Sequence, residues 1–443
     1  MSVPNKVSGQ FLASPAIPSG TDENMSNSLR KTVDAFGLLP KVEALVFDTT
    51  ASNTGVWRGA TSRFEKSLGR SVLWLACRHH VAELFIKHAN IAVRGESKAP
   101  EDKLFSNFKK VFSFISLNEK VFWQWPQDHD WRYQRASDVL EWAEMHMRLG
   151  TWPREDYREL LEVTVIFLGG VVKRPQYGSY NVVESPMRKP GACHRARFMA
   201  SCLYLLKISL YRDQYDELIP EETSQVLVLA EYVALLHVPY FLKLPLAIAA
   251  PRQDRDFWVD IITYKKCFDD DSQQHFMLAA VQRNFCTPMW YLTEELVVFG
   301  LFDENLTDQE RKAMATRLCS FERPITFPPR KPIFHPDLLT DEPALETFVG
   351  PRSSLLFHKL DAAGLWLEGE PEHWKEDQEF IRMESFLKEL KVVNDLAERC
   401  VKDVQEYKDA TKDPEHRDEI LLVATDHRPV FKDLSKKALQ QAL

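Results

Sequence analysis

Two short apolar runs, residues 42–47 and 71–76, with a helical stretch between them, constrain this chain most. Each run is too short for a stable helix and is crowded with β-branched and large apolar residues, so each reads as a buried strand. The stretch 55–68 has helical spacing, and Gly69 stands where such a helix would close. A further helix is expected over 26–36, punctuated by Gly37, which makes residues 26–76 an alternating α/β unit. Asp48 follows the first run directly and opens the polar sequence Thr49-Thr50-Ala51-Ser52-Asn53-Thr54-Gly55. In open α/β sheets the carboxyl ends of strands are where ligands and metals collect, so Asp48 is a candidate for chemistry. Its other reading is a turn-forming or helix-capping aspartate ahead of Thr49 and Thr50.

After His80 the pattern changes to helical periodicity through about residue 384, broken by turns at Pro153, Pro239, Pro251 and Pro288. Trp123, Trp125, Trp131, Trp142 and Trp152 fall close together and suit the faces of packed helices. Phe386, Leu387, Leu390, Val393 and Leu396 recur at helical spacing and predict a long amphipathic helix from about Phe380 to Tyr407. The tail beyond is charged apart from 420–424, and residues 1–24 read as a Ser-, Pro- and Gly-rich arm.

The length of 443 residues leaves room for a second domain or a large insertion. The apolar region 226–250 is interrupted by Glu231, His237 and Lys243, which argues against membrane insertion, since a span needs about 18 uninterrupted apolar residues. The first residues lack the apolar core of a secretory signal, so the seven cysteines are expected to stay reduced inside the cell, without a disulfide framework. A net charge of −8 argues against a protein that coats nucleic acid non-specifically, yet leaves room for a local basic face. Between Glu184 and Asp213 no acidic residue occurs, while Arg188, Lys189, His194, Arg195, Arg197, Lys207 and Arg212 do. Arg195 or Arg197 could contact phosphate and Phe198 could stack on an unpaired base. A basic helix face that neutralises acidic neighbours accounts for the stretch equally well. Cys77 and His80 have the spacing of half a zinc site, but no second pair accompanies them, so a structural pair is expected, with His79 exposed. No glycine-rich phosphate loop, nucleophilic triad or zinc-finger pattern is present in the sequence.

Phe47-Asp48-Thr49-Thr50, Cys77-x-x-His80 and Asn394-Asp395-Leu396-Ala397-Glu398-Arg399 together resemble transposases of the hAT-like group. The resemblance implies an RNase H-like core split by a long helical insertion, and a catalytic triad of two aspartates and a glutamate. Asp48 would be the second carboxylate, Glu398 the last, and Cys77 and His80 the Cys-x-x-His pair that follows. Lys189-Pro190-Gly191-Ala192-Cys193-His194-Arg195-Ala196-Arg197-Phe198-Met199 is similar to a motif of the same relatives, in which tryptophan usually stands where Phe198 is. Asp48 and Glu398 would then hold Mg²⁺ or Mn²⁺, hard cations that take oxygen ligands. Upstream of Asp48 the carboxylates are Asp22, Glu23, Asp34 and Glu43, none of which ends an apolar strand, so the first catalytic aspartate has no counterpart. A further segment bearing the first strand would restore it.

The expected fold is therefore α/β: a partial RNase H-like core from residues 1–80 and about 385–443, the latter being a closing helix and charged tail, interrupted by a large all-α insertion over 81–384. The resemblance implies a transposase-derived protein of the nucleus, ancestrally a metal-dependent DNA strand-cleaving and strand-transferring enzyme, impaired here and with DNA as its partner. A helical scaffold for protein partners is the other function this pattern allows.

Overall fold

Helix outweighs strand by 63% to 4% in the computed structural model, so most apolar surface is buried helix against helix. The structure describes Pro15 and residues 17–393, apart from 56–57, 97–101, 150–151, 153–154, 177–178, 183–186, 192–198, 220–222, 287–288, 325 and 328–338. The chain divides into two compact units, Met1–Leu75 with Val393–Leu443, and Ala76–Val392.

In the first unit, α1 (Asp22–Ala35) begins where Thr21 caps it, the threonine side chain accepting from the Asn24 N–H. Asp22 and Glu23 follow in the first turn, where carboxylates favour the helix dipole. The helix thus starts four residues before the apolar spacing that predicted it, because the cap and not the periodicity sets its origin. Strand β1 (Ala44–Phe47) is followed by a short α2 (Ala51–Thr54), then α3 (Ala60–Leu68) and β2 (Leu73–Ala76). The helix expected over 55–68 therefore begins at Ala60. Gly69 ends it in the left-handed conformation, at φ 67°, with its N–H on the Lys66 carbonyl. That position suits glycine because a Cβ is strained there. β1 and β2 form a small parallel sheet. Leu45 and Phe47 point inward from β1 while Val46 is exposed, and all of β2 is buried. The Phe47 and Trp74 rings meet edge to face at 5.7 Å.

The second unit opens with α4 (Arg78–Arg94), α5 (Lys103–Val111), α6 (Trp131–Leu149) and α7 (Glu155–Phe167). A hairpin of β3 (Lys173–Gln176) and β4 (Ser179–Val182) comes next, antiparallel, with Lys173 opposite Val182 and Gln176 opposite Ser179. The insertion is therefore not all-α. Pro175 is compatible with strand here because a two-stranded ribbon asks only half of its N–H groups to pair. Then come α8 (Ala200–Leu210), α9 (Arg212–Leu218) and α10 (Ser224–Tyr232), the last running through a π-turn at Val233–His237 into α11 (Val238–Phe241). α12 (Ala250–Lys265), α13 (Gln273–Phe285), α14 (Asp308–Cys319), α15 (Leu355–Lys359) and α16 (Gln378–Glu389) complete the unit.

The continuous helix Ser224–Phe241 is long and apolar enough to cross a membrane, and 72% of it is buried inside this unit. The charge that interrupts its sequence is absorbed by side chains: Glu231 accepts from Trp123 Nε1 at 3.0 Å and from Tyr264 Oη at 2.8 Å. Of the five neighbouring tryptophans only Trp131 and Trp142 lie on a helix, α6. Trp123 and Trp125 sit in a non-helical segment laid along the end of α7, where Trp123 N–H donates to the Phe167 carbonyl and Trp125 Nε1 to the Leu168 carbonyl.

The amphipathic helix expected from about Phe380 to Tyr407 stops at Glu389, the end of α16. Leu390 is extended, at φ −70° and ψ 113°, and its carbonyl accepts from Ala247 N–H at 2.9 Å. Val392 N–H donates to the Pro245 carbonyl at 2.9 Å, and the Val392 carbonyl accepts from Arg78 N–H at 3.0 Å. Backbone pairing with 245–247 takes the groups that continued helix would use. It also brings the two ends of the second unit together.

Candidate functional site

Asp48 emerges from β1 at the carboxyl end of the strand, half-buried. Its Oδ1 accepts from Thr50 N–H at 3.1 Å, Thr50 Oγ1 at 2.7 Å and Asn53 Nδ2 at 2.6 Å. These bonds fold the chain into a turn that leads into α2, whose N-cap is Thr50, so Asp48 has the turn-forming role open to an aspartate at this position. A divalent ion would have to share that carboxylate. Among the described residues no three His, Cys, Asp or Glu side chains are grouped to hold a metal, so those residues do not make a two-ion centre around Asp48. Glu398, the other carboxylate expected there, lies outside the described residues.

Cys77 and His80 belong to the second unit. Cys77 is buried at the N-cap position of α4 and is not disulfide-bonded. His80 Nε2 lies 3.7 Å from Glu83 Oε2, one turn along the same helix. His79, expected to be exposed, is instead 1% accessible. Its ring stacks on Phe241 with centroids 4.6 Å apart, and Tyr157 Oη lies 3.4 Å from its Nδ1. The apolar face of α4 turns His79 inward because Phe241 and Tyr157 offer it both a stacking surface and a polar contact.

The residue between Cys77 and His79 proves the most committed. Arg78 is 1% exposed. Its Nη2 pairs with Asp254 Oδ1, and its Nη1 donates to Gln253 Oε1 at 2.7 Å and to the Leu244 carbonyl at 3.3 Å. The guanidinium also lies over the Tyr240 and Tyr291 rings, at 5.4 and 5.3 Å from their centroids. Tyr240 Oη donates to Asp254 Oδ1 at 2.9 Å, and burial, reinforced by Asp254, pushes that phenol upward so that it stays a donor. Tyr291 Oη donates to the Ala76 carbonyl at 2.6 Å. The network ties the start of the second unit to α12 and to the segment before α14.

The stretch without acidic residues is not free of carboxylates in space. Lys207, 2% exposed, donates from Nζ to Glu159 Oε1 and to the Arg188 carbonyl. Arg188 Nη2 lies 3.0 Å from Glu155 Oε2, and Arg212 Nη1 donates to the Ser209 and Val121 carbonyls at 2.8 and 3.2 Å. α7 supplies the acids, and these three bases neutralise or cap neighbours as a structural face would. Lys189 is exposed, while His194, Arg195, Arg197 and Phe198 lie outside the described residues.

No family model, curated protein or solved structure matches this chain.

Two features of the second unit were passed over in the sequence. Arg78 carries a signal, a lone charge directly after the apolar Leu73-Trp74-Leu75-Ala76-Cys77, but the Cys77-x-x-His80 spacing around it is the more conspicuous pattern. The other is 103–118, which contains Lys103, Lys109 and Lys110 and no acidic residue. It is shorter than the stretch 185–212, and its lysines are correspondingly fewer than the bases there.

Proposed function

We propose that the chain derives from an RNase H-like transposase of the hAT-like group, has lost strand transfer, and acts by binding nucleic acid through its helical unit. The observation that carries this reading is the discontinuity of the first unit. Residues Met1–Leu75, which carry β1 with Asp48 just past it, fall in one compact unit with Val393–Leu443, and the helical unit Ala76–Val392 lies between them in sequence. The 3.0 Å bond from Arg78 N–H to the Val392 carbonyl holds the ends of the helical unit side by side, the condition under which a domain can be inserted into another without disturbing it. Loss of strand transfer is supported by the three hydrogen bonds on Asp48 Oδ1, which commit that oxygen to the local turn. Nuclear residence accompanies this reading.

The test is fluorescence anisotropy of the full chain with duplex and single-stranded DNA across a salt series, alongside a cleavage assay in Mg²⁺ and Mn²⁺. Salt-sensitive binding without cleavage is the expected result. Cleavage that depends on Asp48 would overturn the impairment. An absence of DNA binding at low salt would select the second reading, a helical scaffold for protein partners, which the pairing of Arg188 and Lys207 with α7 favours.

A further inference from the structure

α5 (Lys103–Val111) is two-faced. Leu104, Phe105 and Phe108 are buried, Phe105 stacking on Tyr204 with centroids 4.9 Å apart and Phe108 meeting Tyr215 edge to face at 5.7 Å. Lys103, Lys109 and Lys110 are exposed, and Lys103 and Lys110 fall two turns apart on one side of the helix. None of the three has an ion pair among the described residues, whereas Arg94, Arg188 and Lys207 are each matched to a carboxylate. The nearest acid in the chain, Asp102, is taken by both Nη atoms of Arg94 at 2.7 and 3.0 Å. From Lys103 to Asn118 no acidic residue follows. At the end of the next turn, Phe112–Phe114, the Phe114 side chain is 75% exposed.

Unpaired cations on a helix, followed four residues after Lys110 by an exposed aromatic ring, supply the two elements of a sequence-tolerant site for single-stranded nucleic acid: charge for the phosphates, a π face for an unstacked base. We propose that Lys103, Lys109, Lys110 and Phe114 form a docking surface for single-stranded or unpaired nucleic acid. The surface deepens the nucleic-acid-binding reading above and rests on it. A lipid surface fits less well, because lipid docking needs an apolar face and within 103–118 a single ring stands out, Leu117 being only 38% exposed.

The experiment measures binding of the full chain to a mixed-sequence single strand and to its duplex between about 50 and 200 mM salt. Vesicles of phosphatidylserine and phosphatidylcholine form a third arm. Thermal unfolding confirms that each variant is folded. K103Q/K109Q/K110Q should lower the steepness of log affinity against log salt by about two for the single strand, the number of counterions three phosphate contacts release. Phe114→Ala should weaken single-strand binding about tenfold and duplex binding much less. If the native chain binds DNA and these variants bind equally well, the surface is wrong while the proposed function stands. Loss of binding in R195Q/R197Q alone would have the same meaning. If the native chain binds neither DNA, or binds only the vesicles, the proposed function falls and this surface with it.

Discussion

Arg78 and Asp254 form an ion pair closed off from solvent, their side chains 1% and 7% exposed, across 176 residues of sequence. Burying two charges is costly, and it is offset here because Gln253 and the Leu244 carbonyl accept from Arg78 and Tyr240 donates to Asp254, although the buried Arg78 Nε has no hydrogen-bond partner among the described residues. The same residue lends its backbone N–H to Val392. One position thereby secures the start of the helical unit, its middle and its end.

Removing one partner should be far worse than removing both. Asp254→Ala is expected to destabilise the chain by about 3–5 kcal/mol, since it strands a buried guanidinium. The double variant Arg78→Met/Asp254→Leu should recover most of that loss. Urea unfolding of the two variants against the native chain measures the difference.

His237 should make the helical unit acid-labile. It is fully buried in the π-turn, neither ring nitrogen has a hydrogen-bond partner, and burial lowers its pKa to about 3. The unfolded chain takes up the proton near pH 6.5, where the folded chain still refuses it. Stability from this group is therefore complete above about pH 6.5 and is lost progressively as pH falls toward about 3, on the order of 5 kcal/mol in all. His237→Phe should flatten this part of the pH profile of the urea midpoint between pH 7 and 4.

Asp48→Ala should cost about 1 kcal/mol through loss of the hydrogen-bonded turn that leads into α2, the net worth of an ordinary intramolecular hydrogen bond. Asp48→Asn keeps an oxygen acceptor for Thr50 and Asn53 and should stay close to native stability. Thermal unfolding of the two separates the turn-forming role from any role in charge. Asp48→Asn would still abolish metal binding if Asp48 holds an ion, which calorimetry with Mn²⁺ reads independently.

Lys207 and Glu159 offer a second buried pair, 2% and 8% exposed. Glu159→Gln leaves the lysine charge without its counterion and should destabilise by about 3 kcal/mol. Arg188→Gln, at a pair that is 41% and 60% exposed, should cost well under 1 kcal/mol. Chemical denaturation of both variants shows whether the stretch 185–212 serves the fold through Lys207 more than through its surface charges.

What local chemistry controls could be read from the residues. β1 and β2 follow from apolar runs too short for helix, the end of α3 from a glycine at a left-handed cap, and the position of Asp48 from the change of character after Phe47. The helical bulk after His80 was legible for the same reason, since its period is a property of neighbours in sequence. Asp48 was readable in both its roles, and its bonds to Thr50 and Asn53 are the local one. Tertiary structure decided the rest. α16 stops at Glu389 because residues 245–247 take the backbone groups of 390–392, and no pattern within 380–407 announces a partner that distant. His79 is buried because Phe241 and Tyr157 come to it, Lys207 is structural because Glu159 lies 48 residues earlier, and Arg78 is interior because Asp254 lies 176 residues later. Periodicity and caps are set within a few residues, whereas the partner that makes a charge stable in the interior is chosen by the folded chain.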